Sequence, residues 1–386
     1  DGVTGHVRLR GEIAPGALLG AASPWASETV HGTVLRLDGL TLAPRTLHDA
    51  GVDVEERRVV AWFETSPGSR PLLGLVATDE EPLPLPDQAR IDAGVDRTIA
   101  MWQRWTQSCA YDGPWAAAVS RSALVLKQLI HAPTGGIAAA ATTSLPESRT
   151  EPKGWDYRFS WVRDTAYSLS VLLQLGVTEE VHGAMTWMLR LLRAADDVTA
   201  VMHHLDGREP GDEVVEHDVP GWRGAQPVVT GNRAADQLQL GVYGDVFSIV
   251  QMYVDAGNVL DAPTGRLMTE LADLAADRWR SKDAGMWELT DEQHFTTSKL
   301  GCWQALRHAA HLADLGQIPG DAARWRFEAD AIRDWVDEHC WSASLGAYEW
   351  YPGSERLDAS ILLHAISGFD RGDRMRSTLD AIERDL

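Results

Sequence analysis

The chain of 386 residues carries 35 Lys and Arg against 56 Asp and Glu, a formal net charge of −21 at pH 7. This acidity argues against binding to nucleic acid or an anionic membrane surface, because both attract clustered positive charge. It favours a neutral substrate. Tryptophan is unusually frequent, with 16 residues against 6 Phe and 7 Tyr, and its flat amphipathic ring suits either helix packing or stacking on sugars and bases.

Residues 1–80 predict an antiparallel β-sandwich that is only partial. Short β-rich runs are separated by Gly, Pro and Ser; they are VRLRGEI, TVLRLDGLTL, RRVVAWFET and PLLGLVAT. The Pro-rich stretch Glu80–Gln88 predicts a boundary. We expect residues 81–110 to form a linker that contains a long helix.

From Ala89 onward the hydrophobic pattern is helical. Helices are predicted near residues 90–110, 114–132, 164–176, 178–195, 234–256, 264–280, 298–315, 320–340, 358–367 and 371–385. Long loops are predicted at 132–160, 196–233, 281–297 and 341–356, and short turns separate the other helices. This alternation predicts a ring of helical hairpins with all the long loops on one face, where a cleft forms.

Three scattered cysteines, Cys109, Cys302 and Cys340, show neither metal-ligand spacing nor a disulfide framework. We expect reduced thiols packed in helices. No run of about 18 apolar residues predicts a membrane span. The start, DGVTGHVRLR, has neither a Met nor a signal-peptide pattern, so we expect a cytoplasmic protein whose given sequence begins inside a longer chain.

Aromatic and charged side chains are concentrated where long loops meet helix starts. In GWDYRFSWVRD, Arg163 and Asp164 precede the apolar run TAYSLSVLLQL, which places them at the mouth of the predicted helix. They are therefore candidates for binding a polar substrate. An alternative is an Asp favoured by the positive end of the helix dipole, with an Arg beside it.

Glu288 is the candidate general acid. It lies in a long loop beside Met286, Trp287 and Leu289, so its neighbours in sequence are apolar. Apolar surroundings in general raise the pKa of a carboxyl group, as acid catalysis near neutral pH requires. The alternative is a surface Glu in a loop.

The sequence shows no nucleotide-binding, zinc-protease or serine-hydrolase motif, and no cofactor is expected. His203 and His204 are adjacent on a predicted loop, which makes a poor pair of metal ligands. We therefore expect no metal.

Four segments occur in an order and spacing that resemble glycoside hydrolase family 15, which includes glucoamylases and bacterial trehalases. They are APTGGIAAAATTSLPE, GWDYRFSWVRD, GNRAADQLQLGVYGDV and GMWELTDEQHFTTSKLGCWQAL, flanked by YDGPW and LDASILL. The resemblance runs from about residue 90 to the end, and the strand-rich start resembles the β-sandwich of bacterial members. It implies an (α/α)6 barrel over residues 111–386, an active site at one end, and inverting hydrolysis of an α-glucoside without a cofactor.

The resemblance also implies roles for individual residues. Glu288 matches the general acid that protonates the leaving glycosidic oxygen. Arg163 and Asp164 match the pair that binds hydroxyl groups of the terminal glucose, and Tyr157 matches the aromatic residue beside the same sugar. Trp161 and Trp287 are expected to form walls of the pocket and thereby to contact the substrate as well.

The sequence departs from the family pattern in two respects. Leu289 follows the acid where fungal glucoamylases have a second Glu. The family's general base is a Glu in a later loop, which we expect beyond Leu386 together with further C-terminal barrel helices. Glu349 and Asp358 are carboxylates that could be proposed instead, and we expect neither to serve.

The leading hypothesis is a hydrolase that releases glucose from the non-reducing end of a small or oligomeric α-glucoside, either glucoamylase-like or trehalase-like. A disaccharide phosphorylase is an alternative, for which HFTTSK, residues 294–299, could supply a phosphate site. A non-catalytic glycan-binding relative is another. The sequence predicts no oligomeric state.

Overall fold

The computed structural model describes residues 7–14, 25–30, 32–37, 40–47, 51–55, 58–69, 71–79, 82–148, 154–194, 200–211 and 213–386. The chain divides into two compact units, Asp1–Trp105 and Thr106–Leu386.

In the first unit the described residues form seven antiparallel strands and the start of a long helix. The strands are β1 Val7–Ile13, β2 Trp25–Thr29, β3 Gly32–Leu37, β4 Leu40–Leu47, β5 Gly51–Glu55, β6 Arg58–Thr65 and β7 Leu72–Asp79, and the helix is α1 Gln88–Ser108. They form a three-stranded sheet ordered β1-β6-β5 and a four-stranded sheet ordered β2-β3-β4-β7.

A small core of described residues joins the two sheets. It contains Leu35 and Leu42 from the four-stranded sheet and Val59 from the other, with Ile13 packed against them. Such burial of alternating side chains between two sheets is the arrangement of a β-sandwich. The run TVLRLDGLTL, predicted as one β-rich segment, is two strands that pair with each other, β3 and β4.

The second unit consists mainly of helices. They are α2 Ala116–Leu129, α3 Val162–Gln174, α4 Thr178–Ala194, α5 Val242–Asp255, α6 Ala262–Arg278, α7 Thr296–Asp314, α8 Ala322–His339, α9 Leu362–Ala365 and α10 Asp373–Asp385. Short strands lie in the connections: β8 Thr143–Pro146, β9 Gly154–Asp156, β10 Ser160–Trp161, β11 Met202–His203, β12 Val215–His217, β13 Val228–Thr230, β14 Trp341–Ser342 and β15 Ala347–Tyr348.

Helices α3 to α8 form consecutive hairpins in two layers. Helices α3, α5 and α7 pack side by side, while α4, α6 and α8 pack behind them and against one another. Helix α7 is buried around most of its circumference, as expected of a helix with neighbours on all sides. The predicted hairpin arrangement is confirmed for these helices, and their long loops carry the residues described below.

Side-chain caps fix the starts of two outer helices. The carboxylate of Asp261 accepts a hydrogen bond from Thr264 N at 2.8 Å at the start of α6. Asp321 accepts one from Arg324 N at 3.0 Å at the start of α8. These bonds satisfy backbone N–H groups that have no partner within the helix.

Two expectations for the helical unit are wrong in detail. The predicted helix 234–256 begins only at Val242, because a short 3₁₀ turn at Arg233–Asp236 is followed by an extended segment. The predicted helix 358–367 is a 3₁₀ turn followed by the four-residue α9.

None of the three cysteines, all of which lie in described residues, forms a disulfide, and only Cys302 lies within a helix. Cys109 and Cys340 each follow the last residue of one, so the expectation that all three pack within helices is wrong for these two. Among the described helices none has the length and apolar character needed to cross a bilayer.

Candidate active site

Glu288 lies in a tight loop between α6 and α7. Its backbone has φ +58°, a left-handed conformation that costs a non-glycine residue on the order of 1 kcal/mol and is often found at functional sites. The loop turns at Gly285, with φ +66°, where a Cβ would lie 2.7 Å from the ring of Phe295. Gln237 also holds this loop, since its Nε2 donates to the Glu288 carbonyl oxygen at 3.2 Å.

A buried carboxylate anchors the start of this loop. Asp283 Oδ2 accepts hydrogen bonds from Leu240 N at 3.0 Å and from Ser298 Oγ at 2.7 Å. The backbone groups of Asp283 and Gln293 bond to each other in both directions. Burial raises the pKa of Asp283, although the Ser298 hydroxyl favours its ionised form. The contact with Leu240 also explains why the segment before α5 is extended.

Two donors hold the same carboxylate oxygen of Glu288. Trp161 Nε1 donates to Oε1 at 2.7 Å, and Arg163 Nη2 donates to Oε1 at 3.2 Å. Within the described part of the chain, Oε2 has no donor. An indole N–H and a guanidinium group thus hold this carboxylate, where the sequence predicts apolar surroundings.

Arg163 connects three segments of the chain. It lies in the first turn of α3, and its Nη1 donates to Gln239 Oε1 at 2.9 Å while Nη2 contacts Glu288. Burial lowers the pKa of Arg163, but the carboxylates of Asp164, Glu288 and Asp245 outweigh this effect and raise it overall. The guanidinium group therefore stays charged, and its planar fork fixes the direction of each bond.

Asp164 lies beside Arg163 in the first turn of α3. Its Oδ2 is 3.7 Å from Arg163 Nε, and 41% of its side chain is exposed. Burial of the carboxyl group raises the pKa of Asp164, and the Arg163 charge opposes the rise. This position at a helix N-terminus beside Arg163 agrees with the helix-dipole interpretation. Binding of a polar substrate by Asp164 stays a prediction.

The aromatic side chains have different environments. Trp161 is only 2% exposed, so its ring has little surface for a sugar, and it contributes its N–H to Glu288. Tyr157 lies 5.9 Å from Trp161 between ring centroids. Its hydroxyl donates to the Glu147 carboxylate, and burial together with Glu147 raises the pKa of Tyr157. Trp287 is 53% exposed, and its Nε1 donates to Asp358 Oδ1 at 3.0 Å.

Gln237, Gln239 and Asp358 have site contacts that sequence reasoning did not assign. The two glutamines lie two residues apart in the segment QLQL, and alternate residues of an extended segment point to the same side. Their amide groups accordingly lie 3.2 Å apart, from Gln239 Nε2 to Gln237 Oε1. That spacing is the available signal, provided that the segment is recognised as extended.

A cavity of about 420 Å³ adjoins Arg163 between α3, α5 and α7. Tyr167 and Asp245 line it together with several glutamine and serine side chains. Burial raises the pKa of Asp245 to about 7, and Arg163 and the Tyr167 hydroxyl limit the rise. This carboxyl group therefore changes charge close to neutral pH.

The two alternative carboxylates are occupied by hydrogen bonds within the chain. Glu349 accepts bonds from Gly353 N at 2.7 Å and Glu355 N at 2.8 Å. Asp358 Oδ1 accepts bonds from Ser360 N and the Trp287 indole, and its Oδ2 accepts one from the Ser360 hydroxyl. Neither has an oxygen without a donor, so neither is suited to activating a water molecule.

The segment 294–299, which could supply a phosphate site in the phosphorylase alternative, has its lysine engaged within the chain. Lys299 is fully buried, and its Nζ donates to the carbonyl oxygens of Trp279 and Ser281 at 2.6 and 2.5 Å.

The adjacent histidines considered as metal ligands both pack within the chain. His203 is buried, and the ring centroids of His204 and Phe159 lie 4.8 Å apart. The described residues contain no group of three or more His, Cys, Asp or Glu that could hold a metal ion.

Residues 113–386 match the model of the family described as "Glycosyl hydrolases family 15". The chain belongs to glycosyl hydrolase family 15. A trehalase of Thermoplasma volcanium is 30% identical over 296 residues, covering 76% of this chain and 47% of the relative. A trehalase of Mycobacterium tuberculosis is 34% identical over 297 residues, covering 75% and 44%. The chain thus spans about half the length of these curated relatives.

Solved structures agree with this family in fold. A bacterial glucoamylase complexed with acarbose superimposes with a TM-score of 0.67 over 97% of this chain and 60% of that chain, at 12% identity. A wild-type glycosidase gives 0.54 over 69% of each chain, at 18% identity. The predicted fold class, an antiparallel β-sandwich followed by a helical domain of the (α/α)6-barrel type, is confirmed.

Proposed function

We propose that this family 15 protein hydrolyses an α-glucosidic bond with Glu288 as the general acid. The observation that supports this proposal most directly is the arrangement of the Glu288 carboxyl group. Trp161 and Arg163 donate to Oε1, and Oε2 has no donor within the described residues. A proton on Oε2 passes to the glycosidic oxygen as the bond from that oxygen to the anomeric carbon breaks. Held in this way, the acid does not need to reorient for each turnover.

The residues around the acid suit a neutral sugar. Asp164 offers exposed carboxylate oxygens to sugar hydroxyl groups, and the Arg163 guanidinium group lies beside it. We propose that this pair binds hydroxyl groups of the terminal glucose and that Tyr157 flanks the same ring. Trp287 offers an exposed ring face, whereas we now assign Trp161 to holding the acid.

Trehalose is the substrate that we propose. The curated relatives that match this chain at 30–34% identity are named trehalases. Trehalose is a neutral α-linked disaccharide of glucose, which agrees with an acidic protein. Maltose and isomaltose, which also contain α-linked glucose, are the competing substrates.

Inversion needs a second carboxylate that takes a proton from the attacking water on the opposite face of the sugar. We propose neither Glu349 nor Asp358 for this role, because hydrogen bonds within the chain occupy both. The water oxygen bonds to the anomeric carbon while the leaving glucose takes the proton from Glu288. The released glucosyl unit is then β-glucose.

Time-resolved proton NMR tests the proposal on the purified protein. Trehalose, maltose and isomaltose are supplied separately, each with and without inorganic phosphate. Inverting hydrolysis of trehalose gives equal early amounts of α- and β-glucose, whereas retention gives α-glucose alone. Glucose 1-phosphate that forms only with phosphate would identify a phosphorylase. Binding of trehalose without any product would indicate a glycan-binding protein and contradict the proposal.

A further inference from the structure

The side chain of Trp287 is exposed but held in one place. It directly precedes Glu288, and 53% of its surface is accessible. Its indole Nε1 donates to Asp358 Oδ1 at 3.0 Å, across 71 residues of sequence. An exposed indole normally rotates about two side-chain torsions, and this hydrogen bond selects one orientation.

Asp358 is itself fixed. It is 5% exposed, and its Oδ1 accepts Ser360 N at 3.0 Å while Oδ2 accepts the Ser360 hydroxyl. These bonds start the 3₁₀ turn Ala359–Ile361. Among the described residues no cation pairs with this carboxylate. The Trp287 indole connects the Asp358 carboxylate to the loop that carries Glu288.

The free-energy cost of burying the Asp358 carboxylate indicates that its contact with Trp287 does more than cap the 3₁₀ turn. Burying a carboxylate without a cation costs free energy that hydrogen bonds only partly offset. A serine or asparagine could cap the turn at lower cost, because neither carries a charge. A charged acceptor, however, forms a stronger bond to an N–H group than a neutral one, and here that group belongs to the exposed ring beside the acid.

We propose that Asp358 is a positioning residue that fixes the ring of Trp287 as a platform for a glucopyranose ring bound beside Glu288. The inference rests on the proposed function, since it requires a sugar at this site. An indole held in place before binding loses little conformational entropy when the sugar stacks on it. Loss of the hydrogen bond should therefore weaken binding more than it slows the chemical step.

The test measures trehalose binding by calorimetry in the Glu288→Gln background, in which turnover does not interfere. Asp358→Ala should raise the dissociation constant about tenfold, the range of one charge-assisted hydrogen bond. Trp287→Phe should have a similar effect, and the double variant should be little weaker than either single variant, because both remove one interaction. With Glu288 intact, Asp358→Ala should raise KM about tenfold and change kcat less than threefold.

Ser360→Ala is the matched control. It removes the hydroxyl bond to Asp358 Oδ2 and leaves the Trp287 contact in place. It should change the dissociation constant less than about twofold, whatever its effect on stability in urea. Equal weakening of binding by Ser360→Ala and Asp358→Ala would overturn the proposal, because Asp358 would then act only by capping the turn.

A spectroscopic measurement reports on the ring directly. The Trp287 indole N–H resonance, assigned by its loss in Trp287→Phe, should move upfield in Asp358→Ala as the hydrogen bond is lost. Such a shift with unchanged trehalose binding would reject the platform. Absence of trehalose binding in the Glu288→Gln parent would instead reject the proposed substrate, so the two failures are distinguishable.

Discussion

Arg163 Nη2 lies 3.2 Å from Glu288 Oε1, although 125 residues separate them in sequence. The contact ties the first turn of α3 to the loop before α7. Arg163 also reaches Gln239 in the segment before α5, so one side chain connects the starts of three neighbouring helices. The geometry of the candidate acid therefore depends on how these helices pack.

Replacement of Glu288 should separate binding from catalysis. Glu288→Gln keeps an oxygen that can accept bonds from Trp161 and Arg163, but it removes the transferable proton. Turnover of trehalose should fall by a factor on the order of 100 or more, while calorimetry should still detect sugar binding. Glu292→Gln, at an exposed position of the same loop, is the control. Near-normal turnover in Glu288→Gln would remove this residue from the mechanism.

Replacement of Asp164 should affect binding and turnover together. Asp164→Ala removes the acceptor that we assign to sugar hydroxyl groups and leaves the Arg163 charge without its neighbour. We expect kcat/KM to fall by roughly tenfold to a hundredfold, in the range of one or two charge-assisted hydrogen bonds. Asp206→Ala, at an exposed ion pair with Arg208, controls for general charge effects. An unchanged KM in Asp164→Ala would contradict the assignment.

Local patterns predict the helices better than the site. The expected helix 178–195 is found at Thr178–Ala194, because its apolar positions follow the helical period. The expected helix 234–256 starts late because Asp283, distant in sequence, binds Leu240 N. The pattern of TVLRLDGLTL predicts one β-rich run where the structure has the paired strands β3 and β4. The Asp-Gly of this sequence is a known hairpin signal that could have divided the run.

The same distinction holds for the candidate site. Glu288, Arg163 and Asp164 stand in short motifs that can be recognised in isolation. The contacts of Trp287 with Asp358 and of Arg163 with Gln239 join residues 71 and 76 positions apart. No local pattern encodes such contacts, so they become visible only when the helices are packed. The burial of Lys299 is missed for the same reason.

Lys299 should contribute to stability rather than to phosphate binding. Lys299→Met leaves the carbonyl oxygens of Trp279, a buried residue, and of Ser281 without their donor. We expect the free energy of unfolding in urea to fall by roughly 2–4 kcal/mol. Lys282→Met, at an exposed position nearby, should change it by less than about 0.5 kcal/mol. A rise in melting temperature with phosphate that disappears in Lys299→Met would favour a phosphate site instead.

Asp245 should make the stability of the protein depend on pH in a direction opposite to that of an ion-paired carboxylate. Burial raises its pKa in the folded state to about 7 from an ordinary 3.8. Between these values the folded state binds more protons than the unfolded state, so the contribution of Asp245 to stability decreases as pH rises. The decrease amounts to as much as roughly 4 kcal/mol, at about 1.4 kcal/mol per pH unit.

The measurement compares urea unfolding of the wild type and Asp245→Asn from pH 4 to pH 8. The comparison with a variant is needed because other groups make stability rise with pH over part of the same range. Burial lowers the pKa to about 4 in three histidines, His203, His308 and His364. The variant should gain stability relative to the wild type as pH rises towards 7. Tyr167→Phe removes a hydroxyl donor to Asp245, so the pKa of Asp245 should increase further. In this variant the loss of stability with rising pH should therefore continue to a higher pH than in the wild type. A difference between wild type and Asp245→Asn that stays constant with pH would show that this carboxyl group does not titrate differently in the folded and unfolded states.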